Sequence, residues 1–135
     1  MNKEQAQEHI ESCLKENESL VGFFQAMELP KFWLYFIIGP LAAISLKTYF
    51  LGVTETGLYF HKLSLLGKFN NYDFFRFDEI ESVKIGKGFM QRPMTFRFKN
   101  NRKIKIKAQL KGVEKVAKMS TDVQQHIEKN IPLAA

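Results

Sequence analysis

One cysteine, Cys13, leaves the chain unable to form an internal disulfide, and no cysteine-based zinc site is expected. A reducing compartment is compatible with that usage. Histidine is also scarce: His9, His61 and His126 lie far apart, none in a metal-ligand spacing, so they read as surface or partly buried side chains. There is no phosphate-binding loop, because Gly86-Lys87-Gly88 follows a strand pattern with no helix opening after it and no Lys-Ser/Thr ending. No internal repeat or low-complexity linker divides the sequence, so one domain over residues 1–135 is expected. Residues 1–11 carry polar and charged groups before any apolar run, and no secretory leader is expected. Acid is missing from residues 83–111, which hold ten lysines and arginines and no aspartate or glutamate. A mixed-sign surface is the ordinary arrangement, so an anionic neighbour is expected for this segment.

What is present is ample material for a core. Hydrophobic residues make up 45% of the chain and thirteen are phenylalanine, which excludes a disordered polymer. Residues 3–16 place Ala6, Ile10, Cys13 and Leu14 at helical spacing, a narrow stripe suited to packing on the domain. Residues 20–29 read as a first strand ended by Pro30. Residues 49–53 and 58–63 form a hairpin about Thr54-Glu55-Thr56-Gly57, with Gly57 suited to a positive φ. Gly67 and Asn70-Asn71 mark the next turn. Strands follow at 72–77 and 80–85, and Pro93 ends the loop after the second. Residues 113–131 then change to a period of 3.6 through Val113, Val116, Ala117, Ser120, Val123, Ile127 and Ile131, an amphipathic helix stopped by Pro132.

The one long uncharged stretch, residues 32–46, leaves its meaning open. As a helix it would reach about 22 Å, short of the ~30 Å hydrocarbon core, and Gly39-Pro40 would break it midway. A buried or interface-forming connection is favoured over a membrane-inserted or re-entrant element, and a full span is least favoured. Phe32, Trp33, Tyr35, Phe36, Ile37, Ile38 and Leu41 are its candidate contact residues, with Lys31 and Lys47 flanking.

The sharpest local pattern lies at residues 94–107, where both arms alternate with period two. A two-residue turn would set Phe98 against Lys103. An odd loop, most simply Asn100-Asn101-Arg102, pairs Phe98 with Ile104 and Phe96 with Ile106, all inward. Thr95 and the cations Arg97, Lys99, Lys103, Lys105 and Lys107 then share the solvent side, and with Arg102 the five cations form the candidate anionic-surface site. The same alternation sends Phe96 and Phe98 away from those charges, so they cannot stack on bases, and nucleic-acid binding is reduced to phosphate contacts. Phe89 and Met90 remain the only exposed apolar contacts expected near the charge. Asp73, Asp78, Glu79 and Glu81 surround a strand corner and read as solvated carboxylates and turn caps, not a catalytic pair.

Residues 50–60 (Phe-Leu-Gly-Val-Thr-Glu-Thr-Gly-Leu-Tyr-Phe) resemble the strand–turn–strand of bacterial pleckstrin-homology-like (PH-like) domains. Residues 75–83 (Phe-Arg-Phe-Asp-Glu-Ile-Glu-Ser-Val) resemble their following corner. The likeness extends over roughly residues 20–131. It implies a mostly β fold, an antiparallel two-sheet sandwich or barrel of about seven strands with a C-terminal capping helix, here preceded by an N-terminal amphipathic helix. The subdivision is a helical arm at 1–19, strands at 20–111 with an apolar insertion at 30–47, and a helix at 112–131. The resemblance also implies binding or assembly without catalysis, cofactor or small-molecule substrate. In eukaryotic relatives basic residues between the first two strands hold inositol phosphates; here that connection is apolar, so the headgroup site does not carry over. The expected partners are an anionic membrane surface or further copies of the chain, with the protein cytoplasmic or bound to the inner side of a membrane.

Overall fold

The structure, a computed structural model, describes residues 3–28, 47–64, 68–111 and 117–134. Its elements are helix α1 (Lys3–Ser12) and strands β1 (Leu20–Glu28), β2 (Lys47–Thr54), β3 (Gly57–Leu63) and β4 (Phe69–Arg76), followed by a 3-10 turn (Phe77–Glu79). Strands β5 (Ile80–Ile85), β6 (Gln91–Phe98) and β7 (Lys103–Gln109) and helix α2 (Thr121–Asn130) complete it. All strand pairs are antiparallel, in the order β4-β3-β2-β1-β7-β6-β5.

This sheet is folded over on itself. In a flat sheet, strands four places apart such as β3 and β6 would lie about 19 Å apart, at ~4.8 Å per step. The ring of Phe60 on β3 is instead 5.6 Å from Phe96 and 6.5 Å from Phe98, both on β6. The two halves therefore face each other across a shared aromatic core, with Leu51, Leu58, Val83, Met94 and Ile106 between them. The architecture is a mostly β, PH-like sandwich with α2 set against its interior through Val123 and Ile127. Gly22 on β1 makes that approach possible: a Cβ there would stand 2.4 Å from the Val123 side chain.

The outer face of β1–β3 is buried as well, beneath α1. Ala6 and Ile10 pack on Phe50 and Ala117, with Leu20, Phe23, Leu63 and Phe69 at the margin. The apolar stripe of this helix is thus spent on the domain itself. The helix stops at Ser12, so Cys13 and Leu14 lie in the turn beyond it, where their N–H groups donate to Ile10 and Glu11 carbonyls.

Several boundaries differ from expectation. The C-terminal helix begins at Thr121, where the Ser120 hydroxyl caps it by accepting from the Val123 N–H. Residues 117–120 instead hold the neighbouring strands: Ala117 O accepts from Gln25 N, and Met119 N donates to Gln109 O. Residues 112–116 lie outside the described residues. Asn70-Asn71 belongs to β4 and is not a turn, Phe77 has left that strand, and Pro93 sits inside β6. Pro93 lies past the last β5–β6 pair, Ile85 with Met94, where its missing N–H breaks no ladder bond, and its carbonyl still accepts from Gly86 N. Gly57 does not adopt a positive φ; a Cβ there would stand 2.2 Å from the Phe75 carbonyl oxygen, so crowding from β4 is what calls for glycine.

Candidate functional site

The odd-loop reading of the β6–β7 hairpin is right in parity and displaced in register. The pairs are Phe96 with Ile104 and Met94 with Ile106, and Phe98 N donates to Arg102 O, so the three-residue loop is Lys99-Asn100-Asn101. Asn101 takes the left-handed conformation, φ 69°, that the third residue of such a loop requires. The displacement of two residues in the pairing preserves the faces. Phe96, Phe98 and Ile106 are buried, Ile104 is partly buried, and Arg97, Lys99, Arg102, Lys103 and Lys105 are exposed with Lys107 half-buried.

Cross-strand pairing arranges these cations in rows on the outer face. Arg97 lies directly opposite Lys103, Thr95 opposite Lys105, and Pro93 opposite Lys107. Lys84 of β5 pairs with Thr95 and joins the lattice; its only sequence signal is its place between the apolar Val83 and Ile85, which does not say that β5 lies beside β6. Among the described residues none of these cations makes an ion pair, and the two ion pairs present, Lys62–Asp73 and Arg76–Asp78, lie on other strands. Like charges directly opposed across strands oppose folding. The face therefore carries an electrostatic cost that an anionic surface would relieve.

At the end of the hairpin away from its loop, residues 86–90 turn toward β6. Phe89 is 72% exposed and Met90 55%. Met90 O accepts from both Leu110 N and Lys111 N, and the Lys111 ammonium sits 4.1 Å over the Phe89 ring. An apolar tip is thus fixed beside the cationic face. Phe32, Trp33, Tyr35, Phe36, Ile37, Ile38 and Leu41 lie outside the described residues. No helix among the described residues is long and apolar enough to cross a membrane.

The acidic residues serve structure. Glu79 accepts from Arg76 N, Asp78 pairs with Arg76, and Asp73 pairs with Lys62. Glu18 takes donors from the Tyr59 hydroxyl at 2.5 Å, the Thr56 hydroxyl at 2.9 Å, the Thr54 hydroxyl at 3.3 Å and Lys15 N at 2.9 Å. Burial alone would raise its pKa, but these hydrogen bonds bring it below the usual carboxylate value.

Two of the three histidines are not scattered. His9 on α1 and His61 on β3 have ring centroids 5.8 Å apart, and the Cys13 sulfur lies 3.9 Å from His9 Nε2. One donor atom from each of His9, Cys13 and His61 falls within 4.8 Å of the other two. His61 is 1% exposed and its Nε2 has no hydrogen-bond partner among the described residues. Burial, with His9 beside it, pushes its imidazole pKa down to about 4, so the ring is neutral at neutral pH. An orphaned buried nitrogen costs about 1–3 kcal/mol. The sequence carried one local signal of this convergence, the i, i+4 spacing of His9 and Cys13; His61 enters only because α1 docks over β3. His126 stands apart, with Nε2 2.9 Å from Thr54 O.

No family model matches the chain, and no curated protein matches it. Among solved structures, the hSac2 domain from human phosphoinositide phosphatase Sac2 is similar in fold, with a TM-score of 0.58 at 12% identity, covering 94% of this chain and 77% of that one. The C-terminal domain of an unknown protein from Leishmania infantum gives a TM-score of 0.48 at 17% identity, covering 79% of this chain and 81% of that one.

Proposed function

We propose that the chain is a non-enzymatic binding module of the bacterial PH-like kind, which sits at the cytoplasmic side of a membrane and meets anionic lipid with the outer face of β5–β7. The observation that carries this reading is the cation lattice, without an ion pair among the described residues, above all Arg97 opposite Lys103. Each such charge near an anionic bilayer is worth about 1 kcal/mol, and the face holds Lys84, Arg97, Lys103, Lys105 and Lys107 with Lys99 and Arg102 at its tip. Phe89 and Met90 add a small apolar insertion at one end. The fold it shares with a domain of a phosphoinositide phosphatase agrees with a role at lipid.

Vesicle flotation tests the reading. The chain is expected to float with phosphatidylserine-containing vesicles at low salt, to stay behind with neutral vesicles, and to release as salt rises. Combining Arg97→Gln, Lys103→Gln and Lys105→Gln should cost about 3 kcal/mol, roughly a hundredfold in partitioning. Failure of the unmodified chain to float with anionic vesicles at low salt overturns the proposal. If the same sample instead shifts duplex DNA with a steep salt dependence, the face is a phosphate-backbone binder. Self-association through residues 32–46 is tested by light scattering without detergent, where a strict monomer removes it.

A further inference from the structure

We propose that His9, Cys13 and His61 form a binding site for a zinc-class transition-metal ion that staples α1 to the sheet. The donors are imidazole nitrogen and thiolate sulfur with no carboxylate among them, a set that suits zinc or cuprous ion and excludes magnesium and calcium. His9 in the last turn of α1 and Cys13 in the turn just beyond it stand with nitrogen and sulfur 3.9 Å apart. A tetrahedral ion held at about 2.0 Å by nitrogen and 2.3 Å by sulfur keeps its donors roughly 3.3–3.6 Å apart. No pair in the cluster is more than 4.8 Å apart, so small side-chain rotations close the site.

The second, independent observation is His61. It is buried between Tyr59, Tyr72 and Phe69, yet its Nε2 has no partner among the described residues. A buried imidazole without a partner among the described residues, beside a thiol and a second imidazole, is prepared as a ligand and poor as core. With His9 and Cys13 half-buried, the fourth position opens toward solvent. Binding would release the Cys13 thiol proton to solvent, leave both imidazoles neutral, and place the fourth ligand, water, at the surface. The site is independent of the cationic face of β5–β7, which lies on other strands.

The test is a cobalt(II) titration of the untagged, reduced full chain, followed by zinc competition and thermal melts. One equivalent of cobalt should develop a thiolate-to-cobalt band in the near ultraviolet with tetrahedral visible bands, and zinc should bleach both and raise the melting temperature. Cys13→Ser should abolish the near-ultraviolet band, and His9→Gln should weaken binding at least about tenfold, since even outer-shell losses cost that much. Both sites are half-buried, so circular dichroism of the apo variants should match the parent, while His126→Gln should bind metal normally. His61→Gln serves as a further arm where it folds. An absent thiolate band with no zinc-dependent melting shift overturns the proposal, as does a band that survives in Cys13→Ser.

Discussion

Glu18 shows how one carboxylate can hold a junction. It gathers donors from Tyr59, Thr56, Thr54 and Lys15, and so ties the chain leaving α1 to the β2–β3 turn. Its folded pKa lies below its unfolded value, so its contribution is fully present above the unfolded pKa and is lost as pH falls through the folded one. Glu18→Gln should lower stability by about 1–2 kcal/mol at neutral pH, and the gap between variant and parent in urea melts should narrow as pH drops below 4. Asn101 is a second single-residue device. Its left-handed backbone suits Asn or Gly, so Asn101→Val should destabilise by about 1 kcal/mol in the same assay while Asn101→Gly should not. The same Asn101 sets the loop one residue earlier than the sequence suggests: Asn100, Asn101 and Arg102 are all acceptable turn residues, and only the backbone conformation decides between them.

At the scale of elements, the β6–β7 hairpin was readable because a period of two survives any even shift in register. Parity alone fixed Phe96, Phe98 and Ile106 as core and Arg97, Lys103 and Lys105 as surface. Helix α2 was less readable. Apolar spacing continues upstream through Ala117, but Ser120 with Thr121 and Asp122 is a cap signal, and the residues before it are engaged by β1 and β7 backbone. The His9–Cys13–His61 cluster depends on a docking event between α1 and β3 that no local pattern encodes. Two predictions belong here. Lys103→Glu would replace the opposed like charges of Arg97 and Lys103 with a cross-strand attraction, raising stability by about 0.5–1 kcal/mol while weakening vesicle binding. Gly22→Ala would press a methyl into Val123 and push α2 outward, a loss of about 1–3 kcal/mol by thermal or chemical denaturation.

Over the whole molecule, one edge of the sheet is closed by the chain itself. β5 is sealed by the chain's own C-terminal residues: Leu133 bridges to Val83 in parallel, Pro132 O accepts from Val83 N, and Ala134 N donates to Val83 O. Truncation after Ile131 should expose that edge and increase self-association in light scattering. The order of strands was legible from alternation and turn chemistry and the packing of two sheets only from the resemblance to PH-like domains, whereas the closeness of Phe60 to Phe96 follows from sheet coiling, which leaves no periodic mark. The seam between β1 and β7 is only two residue pairs long, Ala26 with Ala108 and Met27 with Lys107, and it joins the first strand made to the last. The β2–β3 and β6–β7 hairpins can form locally as soon as each is synthesised, but the seam must wait for the whole span between its partners and meet the entropy of closing it. Until β7 is made, the β1–β4 half-sheet therefore stands with the β1 edge bare. Recovery of native protein should accordingly depend on how crowded that interval is, and dilute refolding or slower synthesis at low temperature should raise yield without changing equilibrium stability.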